Sequence, residues 1–331
     1  MASEANNLLF RIKVFIARFA MNLIPSEPVF DINILRSFTL KHKDFITSSL
    51  SKQNSILNQM AISHYEAEIA KPFDRFFPQY NFKKIFPGKR VLDLGCWCGG
   101  KSVSFSEKWC VKEMYGIDVY DYFIQAAKSF SSSRKNKETK YVFKKGFGEA
   151  IPFPSDYFDI IVNSDVFEHV QSLHETLAEC HRVLKPGGKM FSVFPSYYHP
   201  YGAHLGFVTR TPFLQWFFSA KVLNKAYREI IKSRGESAYW YSNTNDSEDN
   251  EWQKLSGGIG INGTTFSDYR KLIKAVGFCD NQILPTPLFS VGNLSVKYPR
   301  LKQISLKAVS LLHLRILQDV LSNKVVSITV K

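Results

Sequence analysis

Apolar and polar positions change rhythm several times along this chain, and each change marks a part of it. Leu8, Ile12, Phe15, Phe19 and Leu23 recur at helical spacing while Asn7, Arg11, Arg18 and Asn22 fall on the other side, which predicts an amphipathic helix. The first ninety residues read as helical, with a break at Pro25 and Pro28. Phe86-Pro87-Gly88 then turns the chain into the apolar run Arg90-Val91-Leu92-Asp93-Leu94. From there strand-like runs alternate with helical stretches. Strand 90–94, helix 101–109, strand 113–117, helix 121–132 and strand 141–143 are followed by strand 159–163, helix 171–184 and strand 189–194. Such alternation predicts parallel strands joined by right-handed helical crossovers, with ligands bound at the carboxyl ends of the strands.

After residue 195 the alternation stops. A stretch rich in aromatics, Ser, Asn and charge intervenes and reads as an inserted lid or substrate region, its polar segment Ser242 to Glu251 forming a mobile tip. A helix over 265–276 stops at Gly277, an amphipathic helix follows near 301–321, and the β-branched run from Lys324 to Val330 makes a natural last strand. The chain thus divides into a helical extension (1–87), a ligand-binding core (88–195), an insert (196–264) and a closing part of the core sheet (265–331).

With 331 residues, 45% of them hydrophobic, the chain has ample material for a buried core, so disorder is not its default. A formal charge of +14 points to anionic partners, although the excess is spread out without a basic run and also fits a solvated face. Five cysteines, at 96, 98, 110, 180 and 279, show no regular metal-ligand pairing and fit a reducing, cytoplasmic setting. No run of 18 apolar residues is present to span a bilayer. The helix at 8–23 fits either peripheral membrane contact or packing on the domain. Acids and histidines are scattered, so no metal is expected.

The chemistry concentrates in Val91-Leu92-Asp93-Leu94-Gly95-Cys96-Trp97-Cys98-Gly99-Gly100, an apolar strand ending in an acid and a glycine turn before a helix. Glycines there let the backbone approach a nucleotide-like ligand, and the following helix offers free amide donors. Tyr115-Gly116-Ile117-Asp118 is a second strand ending in an acid, spaced as for a carboxylate that accepts from both hydroxyls of a ribose. Gly146-Phe147-Gly148-Glu149-Ala150 precedes Asn163-Ser164-Asp165-Val166-Phe167-Glu168-His169, and Leu184-Lys185-Pro186-Gly187-Gly188 leads into the next strand.

In the glycine loop, the aspartate-bearing second strand, the Glu168-His169 pair and the Leu-Lys-Pro-Gly-Gly turn, over residues 88 to 195, the sequence resembles the class I S-adenosylmethionine-dependent methyltransferases of the small-molecule branch. The resemblance implies a doubly wound, mostly parallel seven-stranded α/β sheet (Rossmann-like), with an N-terminal helical extension and an inserted lid after the fifth strand. It implies S-adenosylmethionine as cofactor, with Asp93, Gly95, Cys96 and Gly99 around the methionine part and Asp118 and Val119 at the ribose. Phe147, Gly148 and Glu149 would flank the adenine, and Ser164 and Asp165 would line the pocket. Two positions depart from the family: Trp97 stands where glycine is common, and Phe147 where an acid is common. Trp97 fits if its backbone dihedrals are ordinary, and Phe147 could stack on the adenine.

The implied reaction is in-line attack by a substrate nucleophile on the sulfonium methyl, which needs alignment and, for a protonated nucleophile, a base. His169, just past the fourth strand, and His199 and His204, at the start of the insert, are the base candidates, each with a local packing role as its alternative. The expected acceptor is a small molecule, anionic or lipid-linked: a hydroxyl of a sugar, a lipid-linked saccharide or a secondary metabolite. Residues 95–100 do not spell the G-x-G-x-x-G of nicotinamide enzymes. Asn163-Ser164-Asp165-Val166 lacks the Asn-Pro-Pro-aromatic signature of adenine amino-methylating enzymes, and nucleic acid ranks below a small molecule. An RNA or protein methyltransferase and a non-catalytic S-adenosylmethionine-binding scaffold remain the alternatives.

Overall fold

The protein is described from a computed structural model at residues 2–25, 48–134, 138–234, 261–287 and 322–331. Five parallel strands form first: β1 (Arg90–Leu94), β2 (Glu113–Asp118), β3 (Lys140–Lys145), β4 (Phe158–Ser164) and β5 (Leu184–Phe194). They are joined by α4 (Gly100–Trp109), α5 (Asp121–Ser133) and α6 (Leu173–Val183). With β6 (Cys279–Pro287) and β7 (Ser322–Val330) they make one seven-stranded sheet in the order β3-β2-β1-β4-β5-β7-β6. β7 alone runs opposite to its neighbours, pairing antiparallel with both β5 and β6. The order reverses between β1 and β4, and that reversal opens a crevice at the carboxyl ends of the strands. Central strands covered on both faces must be apolar throughout, which is why Val91, Leu92, Leu94, Ile160, Ile161 and Val162 are all buried.

One face of the sheet packs on α6 and on α9 (Phe266–Val276), with Leu177, Phe194 and Tyr269 at its centre. The other face is closed by aromatics from the segment before β1: Phe73, Phe77, Phe82 and Phe86 bury against Trp109 and Phe191. Phe73 lies in a 3-10 turn (Phe73–Phe76) and Phe82 in the short α3 (Phe82–Ile85). Before them, α2 (Leu50–Ala70) lies over α4 and α5 through Leu57, Met60 and Ala61.

The helix expected at the N-terminus forms as α1 (Ala2–Met21), but it packs through a face other than the stripe read from the sequence. Val14, Ala17 and Met21 are buried against Val222, Ala226 and Ile230 of α8 (Ala220–Ser233). Between these partners lies the short α7 (Leu214–Phe217). Leu8, Ile12, Phe15, Phe19 and Leu23 stay exposed, Phe15 at 71%.

Two strand expectations are corrected. β6, the seventh strand of the expected sheet, has no range in the sequence reading, because Pro285 and Pro287 break the strand signal; it is an edge strand, where missing amide donors cost least. β5 begins at Leu184, five residues before the expected start, because the glycine turn is clamped into the sheet: the Gly187 amide donates to the Lys331 carbonyl (3.0 Å) and the Lys331 amide to that of Gly188 (3.1 Å). The helix expected near 301–321 and the tip expected at Ser242 to Glu251 lie outside the described residues. Among the described residues, no helix is long and apolar enough to cross a membrane.

Candidate active site

Two buried acids define one half of the crevice. Asp118, at the end of β2, is 7% exposed and accepts from the backbone amides of Trp97 and Tyr120, both at 3.1 Å. Burial pushes its carboxyl up to about 6, against the pull of those amides and that of Val119. Asp93, at the end of β1, accepts from the Ser102 hydroxyl; burial raises it to about 6, and Ser102 and Lys101 oppose the rise. Gly95 and Gly99 both take left-handed φ values, 74° and 77°. A Cβ on Gly95 would stand 2.4 Å from Val166, and one on Gly99 would stand 2.8 Å from Ala127, so loop and neighbours touch at backbone distance. Val119 follows Asp118 and Phe147 follows Gly146, whose amide donates to the Asp118 carbonyl at 3.0 Å. Both are exposed, at 39% and 48%. A carboxylate with apolar surface beside it is what an adenosine fits: hydroxyls for the acid, a purine face for the side chains.

Three expected cofactor residues serve the fold first. Cys96 is a buried, neutral thiol packed with Ile124, Ala127 and Phe143. The Glu149 carboxylate accepts from the amides of Gln171 (2.7 Å) and Ser172 (3.1 Å), so it fixes the approach to α6. Gly148 is required by Thr176, 2.9 Å from where its Cβ would lie. The expectation of ordinary dihedrals for Trp97 is overturned: its φ is 48°, the left-handed region that suits the usual glycine. Its ring stacks on Phe123 (centroids 5.1 Å apart, 9°) and lies 5.1 Å from His64, contacts that offset the backbone cost.

The other half of the crevice is built from charge. Ser164 ends β4, and its hydroxyl accepts from Lys101 Nζ at 3.1 Å and lies 3.3 Å from Asp165 Oδ2. Asp165, at φ 59°, forms an ion pair with Lys324 at the head of β7. Desolvation pushes Asp165 up, but Lys324 and Lys101 outweigh it and hold the carboxyl at about 2. Glu168 is 4% exposed, and neither of its carboxylate oxygens finds a hydrogen-bond partner among the described residues. Burial, then the charge of Asp165, raises it to about 8. His169 Nε2 lies 3.8 Å from Glu168 Oε1, and the His169 and His204 rings are 5.3 Å apart. Burial lowers His204 to about 3, with His169 and Lys324 adding to it, so its imidazole is neutral at neutral pH. His199, lowered to about 4 by burial and Lys324, already accepts from the Tyr201 amide at Nδ1 (3.2 Å). The structure therefore brings His169 and His204 together with Asp165 and Glu168, and holds His199 within its own turn.

The sequence reading did not single out Lys101, Lys324 and Asn262. Lys324 carried no local signal: it lies near the ligand end because β7, which begins at Ser322, runs antiparallel to β5, a direction the strand pattern does not reveal. Asn262 carried none, yet its side-chain amide donates to the carbonyls of Phe167 (2.7 Å) and Val170 (2.9 Å), and its backbone amide to that of Glu168 (2.7 Å). It sets the turn that presents Glu168 and His169. Among the described residues, no group of acids, histidines and cysteines could hold a metal ion.

Residues 92–192 match the methyltransferase domain family. Over 104 residues the chain is 39% identical to a sterol 24-C-methyltransferase of Pneumocystis carinii, covering 31% of this chain and 27% of that protein. It is 28% identical over 133 residues to a ubiquinone biosynthesis O-methyltransferase of Roseobacter denitrificans, covering 40% of this chain and 50% of that one. The matched stretch thus spans between about a quarter and a half of these relatives. Among solved structures, phosphoethanolamine N-methyltransferase 2 of Haemonchus contortus in complex with S-adenosyl-L-methionine aligns over 78% of this chain and 52% of its own, with 14% identity and a TM-score of 0.47. The domain match begins inside β1 and ends inside β5 of a sheet of this order: residues 92–192 carry a class I S-adenosylmethionine-dependent methyltransferase domain.

Proposed function

We propose that the protein binds S-adenosylmethionine in the β1–β2 half of the crevice and moves its methyl group to a hydroxyl of a small molecule held in the β4 half. Bound there, the cofactor supplies an electrophilic methyl on a positively charged sulfur that leaves as a neutral thioether. Asp118 holds the ribose hydroxyls, Val119 and Phe147 flank the adenine, and Asp93 with the turn of Gly95 and Gly99 faces the methionine end. The observation that carries the acceptor reading is the neutral His204 against His169, beside Asp165 and Lys324. A hydroxyl must lose its proton during transfer, and an uncharged imidazole can accept it, with the Asp165 carboxylate favouring the imidazolium that forms. Relatives named for sterol methylation and for ubiquinone-biosynthesis O-methylation support a small acceptor.

Calorimetric titration with S-adenosylmethionine tests the cofactor half. Asp118→Ala should weaken binding by about 1 to 3 kcal/mol. Transfer of labelled methyl to lipid and glycan fractions tests the acceptor half. Label appearing in RNA or protein alone would replace the small-molecule reading, and binding without any transfer would leave a scaffold.

A further inference from the structure

The exposed stripe of α1 has a geometry the methyl-transfer reading does not use. Taking 100° per residue, Leu8, Leu9, Ile12, Phe15, Ile16, Phe19 and Leu23 fill an arc of roughly 120°, centred opposite the face that Val14, Ala17 and Met21 bury on α8. Their exposures run from 46% at Ile12 to 71% at Phe15. Arg11 and Arg18 border the arc on one side and Lys13 on the other. The helix is held rigidly while it presents this surface. The Thr211 hydroxyl donates to the Ala20 carbonyl (2.9 Å), the Arg210 amide donates to that of Ile24 (2.8 Å), and Arg18 pairs with Glu229 at 3.0 Å. Beside it, α7 exposes Phe217 at 78% and Trp216 at 44%.

We propose that this face of α1 docks on the surface of an anionic lipid bilayer, with the helix lying in the interface plane. An apolar arc between basic borders is the pattern of an interfacial helix, whose cations reach the head groups while its apolar side chains enter the acyl boundary. Charge selects the bilayer over other occupants. Residues 2–25 and 205–234 hold nine Lys or Arg against two acids, Glu4 and Glu229, so a second copy seated on the same face would bring cation against cation. The inference stands on α1, α7 and α8 and does not depend on the reaction at the crevice.

Flotation of the full chain with phosphatidylserine-containing vesicles, compared with phosphatidylcholine-only vesicles, reads it directly. Binding is expected to the anionic vesicles, to fall with salt, and to drop at least about tenfold in Phe15→Ser/Phe19→Ser and several-fold in Arg11→Glu/Lys13→Glu. Both pairs lie on the solvent side, and an unchanged melting curve with unchanged S-adenosylmethionine affinity shows that each variant is folded. Absence of vesicle binding by the wild type, or equal binding by the double serine variant, overturns the proposal. So does a concentration-dependent dimer that the serine pair abolishes while vesicle binding persists.

Discussion

The two halves of the crevice are made in different ways. Around β1 and β2, Asp93, Gly95, Gly99, Asp118 and Val119 come from one short stretch, and each is placed by the strand or turn it sits in. Around β4, Lys101, Asp165, Glu168, His204, Asn262 and Lys324 come from five separate parts of the chain, and only the packed sheet and insert bring them together. One half is fixed by local backbone geometry, the other by long-range assembly. A half of the first kind should fail when a backbone position is filled; one of the second kind should respond through charge.

The largest effect is expected where the halves touch. Gly95 sits at φ 74°, and an added Cβ would meet Val166, which follows β4, at 2.4 Å. Gly95→Ala should therefore destabilise the fold by roughly 2 to 4 kcal/mol and weaken S-adenosylmethionine binding more than tenfold, read by urea denaturation and calorimetry. Adding Val166→Ala should recover part of the stability, since the collision disappears while the backbone strain stays. Full additivity of the two changes would mean that the halves do not meet through this contact.

The next effect is electrostatic and belongs to the assembled half alone. Glu168 is held at about 8 in the fold against 4.5 for a free side chain. A raised acid contributes its stability below 4.5, and that contribution is lost as pH rises through about 8, because the unfolded chain releases the proton first. Glu168→Gln should be more stable than wild type at alkaline pH by on the order of 2 kcal/mol, with the gap closing towards acid pH. Denaturation midpoints of the pair across that range measure it. A constant gap would show that Glu168 ionises at its ordinary pH in the fold, and that its buried setting is relieved in solution.

The same division explains what the sequence revealed. Local signals carried the strands from β1 to β5, the crossovers, Asp93, Asp118 and the glycine turn, because each depends on residues a few positions away. β6 was hidden because an edge strand can carry Pro285 and Pro287 that a strand pattern forbids. Lys324 and Asn262 were hidden because their value lies in partners 159 and 92 to 95 positions away. The stripe on α1 was legible as amphipathic, but not the side on which it would pack: Ala17 and Ala226 are both fully buried, and small residues there let the two helices approach closely.

Trp97 tests how strictly backbone geometry rules the first half, and the expected effect is the smallest. At φ 48° a tryptophan costs roughly 1 to 2 kcal/mol that glycine would not. Against this stand the stack on Phe123 and the contact with His64, worth roughly 0.5 to 1.5 kcal/mol each beyond the area they bury. The opposing contributions are similar in size, so Trp97→Gly should change stability by about 1 kcal/mol or less and leave S-adenosylmethionine affinity within about threefold, because the amide that binds Asp118 Oδ2 remains. Trp97→Ala separates the contributions, since it keeps the strain and loses the stack, and it should be the less stable of the two. If Trp97→Gly instead costs several kcal/mol, the ring does more for this turn than the backbone does, and the local half of the crevice depends on long-range packing as the other half does.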